Sequence, residues 1–115
     1  MFKNLMMMFI KSSIEINIIS GPSITHIHKE LYNMGIFCGV HYDNIYSVVD
    51  YVKYETNEPI EQNEQGRYWC DDTFWWKVKG MICADYNIDV LIDNDAKYNQ
   101  EGYMPKNTHF IHWIK

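Results

Sequence analysis

A chain of 115 residues is the size of one domain, and with 47% hydrophobic and 16% aromatic residues it has the apolar surface to bury a core, unlike a disordered segment. A formal net charge of −5 argues against an extended nucleic-acid surface, which needs clustered cations, and Arg67 as sole arginine leaves phosphate or carboxylate recognition to lysine and backbone amides. The three cysteines, Cys38, Cys70 and Cys83, are widely spaced and form no C-x-x-C, so they read as free thiols and not as a disulfide framework or zinc knuckle.

The chain starts "MFKNLMMMFIKSS", where the apolar run Leu5 to Ile10 is too short to cross a bilayer and no small-residue cleavage site follows. Residues 1–13 are expected to be a loosely packed N-terminal extension of a cytoplasmic protein with no membrane segment. "IEINIIS", Ile14 to Ser20, becomes continuously apolar, as a strand covered on both faces does. After "SGPS" the period changes: Ile24, Ile27, Leu31 and Met34 recur at helical spacing, and Gly35 stands where a helix is closed. The short run "IFCGVHY", Ile36 to Tyr42, predicts a second strand and so a right-handed parallel strand–helix–strand unit.

"DNIYSVVDYVKYE", Asp43 to Glu55, predicts a second helix, with Asp43 or Asn44 as cap and Ile45, Val48, Val49 and Val52 on one face. Thr56 to Arg67 is polar and acidic and predicts an exposed loop. A helix then opens at Asp71 or Asp72 with the apolar stripe Phe74, Trp75, Val78, Met81 and Ile82, weakened by Gly80. Adjacent Trp75 and Trp76 cannot both point inward, so one should cover a pocket or a partner surface. "IDVLI", Ile88 to Ile92, predicts a third parallel strand, and residues 108–114 a fourth. Alternating strands and helices imply a three-layer α/β/α sandwich on a small parallel sheet, with residues 14–115 as one domain.

Ligands of parallel sheets sit at the carboxyl ends of the strands. Ser20 and Gly21 end the first strand and lead into a helix whose free N–H groups suit a phosphate. Asp93, Asn94 and Asp95 end the third strand and offer oxygen ligands to a divalent cation, with Lys79 on the helix before it. The histidines of "THIH" and "HFIH" lack the His-x-Ser or His-x-Thr of two-histidine phosphoesterases. His26 and His28, two apart on a helix, share no face for a metal.

The order strand–Ser, helix–Lys, strand–Asp-Asn resembles motifs two, three and four of the haloacid dehalogenase-like (HAD-like) phosphohydrolases, and "WWKVKGMICADYNIDVLIDNDAKY" is similar to the compact ends of small phage and bacterial members. The resemblance covers residues 14–114 and implies a reduced HAD-like Rossmannoid fold. It places Ser20 and Lys79, in preference to Lys77, on a phosphoryl group, and Mg²⁺ at Asp93, with Asn94 where the second acid usually stands and Asp95 one step on. The family's nucleophile, the first Asp of an Asp-x-Asp before the Ser motif, has no counterpart between Met1 and Ile19. A circularly permuted reading would make Asp93 the nucleophile and Asp95 the general acid. The expectation is therefore a phosphate- and Mg²⁺-binding pseudoenzyme, without efficient phosphatase activity, for a phosphorylated small molecule or nucleotide. The alternative is a viral interaction protein that binds a protein partner or itself through its aromatic surface.

Overall fold

The computed structural model describes residues 2–100 and 102–113. The chain divides into two units, Met1–Asp50 and Tyr51–Lys115.

In the first unit the Met-rich start, expected to be loose, is a helix, α1 (Phe2–Lys11), and Met6 on it is buried. Leu and Met lose little rotamer freedom in a helix, and no Gly or Pro interrupts the run. Strand β1 (Asn17–Ser20) leads into α2 (Ile24–Asn33). Ser23 caps α2, its hydroxyl accepting from His26 N at 3.4 Å. At the other end Gly35, at φ +74°, donates to Tyr32 O, and Ile36 N to Leu31 O, a closed Schellman turn.

The second strand does not lie at 36–42. It is β2 (Asn44–Ser47), pairing parallel with β1 from Asn17↔Asn44 to Ser20↔Ser47. The predicted strand is instead a turn: His41 N and Val40 N both reach Phe37 O, Gly39 takes φ +81°, and Phe37 N donates to Nδ1 of buried His41 at 3.0 Å. A single bridge, Cys38↔Tyr42, is all that is strand-like there.

The helix expected from Asp43 accordingly starts later, as α3 (Val48–Glu55), which crosses the boundary between the units. Ser47 decides this: its hydroxyl accepts from Asp50 N at 3.0 Å, as an N-cap does, and donates to Pro22 O. Ile45 and Tyr46, good strand formers, are thereby left in the sheet, while Val48, Val49 and Val52 are all at most 2% exposed.

In the second unit, residues expected to be plain loop form a two-residue-deep antiparallel hairpin, β3 (Glu61–Gln62) with β4 (Tyr68–Trp69). Asn63 Oδ1 accepts from Gln65 N and Arg67 N inside its turn. Helix α4 (Asp72–Asp85) starts at an Asp71 cap, whose carboxylate accepts from Phe74 N at 3.2 Å. It buries Val78, Ile82 and Cys83, and Asp85 accepts a hydrogen bond from Tyr51 OH. Strand β5 (Val90–Asp93) pairs parallel with β6 (His109–His112), from Val90↔His109 to Asp93↔His112, with a short 3-10 turn at Ala96–Asn99 between them. Ile114, the end of the predicted fourth strand, lies outside the described residues.

Gly80 is a site of close approach: a Cβ there would meet Tyr103 O at 1.7 Å. The architecture is thus mixed α/β, with four helices and three two-stranded sheets among the described residues, two parallel and one antiparallel. The parallel strands pair as β1–β2 and β5–β6, not in one sheet of three or four. Among the described residues no helix is long and apolar enough to cross a membrane.

Candidate functional site

The β5 end brings Lys79 and Asp93 together. Lys79 lies on the buried face of α4 between Val78 and Ile82, so its ammonium needs a partner inside the second unit. Asp93 supplies it: Nζ donates to Oδ2 at 2.6 Å, with both side chains 10% exposed. The Tyr98 ring covers the same ammonium, its centroid 4.2 Å from Nζ. Lys77, the other candidate, is exposed and lies over the Tyr103 ring at 5.9 Å.

The aspartates after β5 organise the turn. Asp93 Oδ1 accepts from Asp95 N at 2.9 Å, and Asp95 Oδ1 accepts from Lys97 N at 3.0 Å, capping the 3-10 turn that carries Tyr98. Burial above all, then the charges of Asp93 and Asp95, pushes the Tyr98 phenol up to about 12, while its hydrogen bond with Trp75 acts the other way. Tyr98 therefore keeps its proton at neutral pH. Burial likewise pushes Cys83 up to about 11, against the pull of the Lys79 ammonium, so this thiol is a core group and not a nucleophile.

The donor set can be compared with what Mg²⁺ requires. Both Asp93 oxygens already accept hydrogen bonds, and the Asn94 carbonyl lies 3.2 Å from His112 Nε2. Among the described residues no three His, Cys, Asp or Glu groups are placed to hold a metal. Mg²⁺ commonly takes only one or two carboxylates and completes its shell with water and substrate phosphate. Asp93 and Asp95 fit that minimal demand and no more.

Ser20 and Gly21 end β1 in the first unit. Ser20 stands opposite Ser47, and Gly21 O accepts from Val49 N at 3.1 Å. The N-terminus of α2, expected to receive an anion, already has one: Ile24 N donates to Asp50 Oδ2 at 2.9 Å. The described histidines stay dispersed, with exposed His26 paired to Glu30 at 3.0 Å.

Beside the pair, Trp76 and Tyr98 make a ring contact of 4.8 Å at 57°, and Lys97 Nζ stands 5.0 Å from the Trp76 centroid. Tyr98 and Lys97 were not singled out in the sequence. The signal available was that Tyr98 is the first aromatic in the polar stretch after "LIDND". No family model matches the chain, and neither a curated protein nor a solved structure is found to be similar to it.

Proposed function

We propose that the β5 end binds a phosphate group through Lys79, with Mg²⁺ recruited by Asp93, Asn94 and Asp95, and without efficient turnover. The observation that carries this is the buried Lys79–Asp93 pair at 2.6 Å. A phosphate oxygen can replace the Asp93 oxygen on the ammonium, and the released carboxylate then faces a cation bound to the same phosphate. Ser20 and Gly21 belong to the first unit and play no part in this reading. The HAD-like, three-layer arrangement belongs to the same proposal; its support is the parallel β1–α2–β2 unit and a β5 that ends in Asp93 beside a helix-borne lysine.

The test is calorimetric titration of the full chain with inorganic phosphate, with and without Mg²⁺, alongside a phosphate-release assay on phosphate monoesters. The expected result is saturable binding that Lys79→Met removes, Mg²⁺ dependence that Asp93→Asn removes, and no release. No binding by the wild-type chain would overturn the proposal; release abolished by Asp93→Asn would establish the permuted enzyme instead.

A second reading, an interaction protein, is favoured by the outer face of the β5–β6 pair. Val90, Ile92 and Ile111 share that face and are 45%, 44% and 48% exposed, with Ile92 directly opposite Ile111. Parallel strands are ordinarily covered on both faces. Self-association in sedimentation equilibrium that Ile92→Glu abolishes supports this reading; a monomer at every concentration counts against it.

A further inference from the structure

We infer that the phosphate site continues into a stacking surface for an aromatic base, so that the ligand of the second unit is a nucleotide. The inference rests on the phosphate reading of Lys79 and names the rest of the molecule that would bind there. Three contacts connect one side chain to the next. The Lys79 ammonium lies 4.2 Å from the Tyr98 ring, the Tyr98 ring 4.8 Å from the Trp76 ring, and the Lys97 ammonium 5.0 Å from Trp76. Tyr98 is buried and sits on the turn that Asp95 caps, so it is a fixed member of this group. Trp76 is part-exposed and Lys97 is exposed.

The outermost contact is the one a ligand can exchange. An exposed ammonium over a ring is a weak occupant, because the ion gives up hydration to sit there, whereas a neutral base stacking on tryptophan replaces apolar contact with apolar contact. A base on Trp76 releases the Lys97 side chain, while its backbone stays pinned by Asp95 Oδ1 at 3.0 Å. The freed ammonium then joins Lys79 as a second cation for the phosphate. This matters in a chain with a single arginine, Arg67, which lies in the hairpin turn. Every base has a π-face, so the surface selects nucleotides over other phosphates without selecting among bases.

The experiment is calorimetric titration of the full chain, in Mg²⁺, with a nucleoside 5′-monophosphate, ribose 5-phosphate and the unphosphorylated nucleoside. The nucleotide is expected to bind about ten-fold more tightly than ribose 5-phosphate, the order of magnitude for one stacked base. Trp76→Leu is expected to abolish that preference and Trp76→Phe, which keeps a ring, to preserve part of it; far-UV circular dichroism checks that both variants fold. Equal binding of the two phosphates by the wild-type chain, or a preference that survives Trp76→Leu, overturns the stacking surface while leaving the phosphate reading intact. Binding of the unphosphorylated nucleoside alone, with neither phosphate bound, overturns the nucleotide assignment through failure of the phosphate site.

Discussion

Lys79 and Gly80 are neighbours on α4 with opposite demands. Lys79→Met alone leaves the Asp93 carboxylate buried without its counter-ion and should cost about 3–5 kcal/mol, whereas Lys79→Met with Asp93→Leu should recover most of that loss in a double-mutant cycle followed by urea unfolding. Gly80→Ala would gain about 1 kcal/mol from helix propensity alone. The Tyr103 carbonyl, 1.7 Å from the added Cβ, outweighs that gain, so the expected outcome is a net loss of about 1–3 kcal/mol; a rise in Tm would disprove the close approach. Tyr98 adds a pH signature. Its folded-state phenol titrates near 12 against an ordinary 10.0, so the folded state holds a proton the unfolded chain has lost. The contribution is complete below pH 10 and vanishes as pH rises through 12. Tyr98→Phe should flatten the fall in stability across that window, as followed by chemical denaturation at alkaline pH. Lys79 and Asp93 were both named from the sequence as candidate site residues, but not as an ion pair, and Gly80 was read only as a propensity defect, since a carbonyl arriving from residue 103 leaves no mark on local pattern.

At the scale of elements, signals carried by one residue's own chemistry survived best. Ser23 and Gly35 bound α2, Asp71 starts α4, and Asp93 ends β5, each through a cap or turn within a few residues. The failure at 36–55 has an equally local cause. Ile45, Val48, Val49 and Val52 satisfy a helical period whether or not the first of them is helical, and nothing in that period says that Ser47 caps in mid-pattern. Ser47→Ala should therefore be costly for a small change. It removes the cap on Asp50 N and the donor to Pro22 O at a residue 3% exposed, and about 1–2 kcal/mol of destabilisation is expected in chemical denaturation. Ser47→Asp, which restores the cap but not the donor, should recover only part.

Across the whole molecule, pairing partners were the least legible feature. A continuous apolar run reports that a strand is covered, not which strand lies beside it, and parallel neighbours come from distant sequence. Three or four runs were thus read as one sheet, where the parallel strands pair in two separate twos. The metal reading makes a prediction at this scale. Because no three-ligand cluster exists among the described residues, Mg²⁺ alone should barely move Tm, phosphate alone should move it modestly, and the two together should exceed the sum. A large shift with Mg²⁺ alone would reveal a site of another kind. The Asp50 carboxylate on Ile24 N has one more consequence. A group attached to the chain competes with dissolved anions at an effective concentration of the order of millimolar or above. The first turn of α2 therefore contains its own tethered inhibitor, always present and never diluted. Phosphate titrated in at micromolar levels should leave the amide signals of Ile24 and His26 unmoved, and the chemical shifts that do respond should come from the second unit.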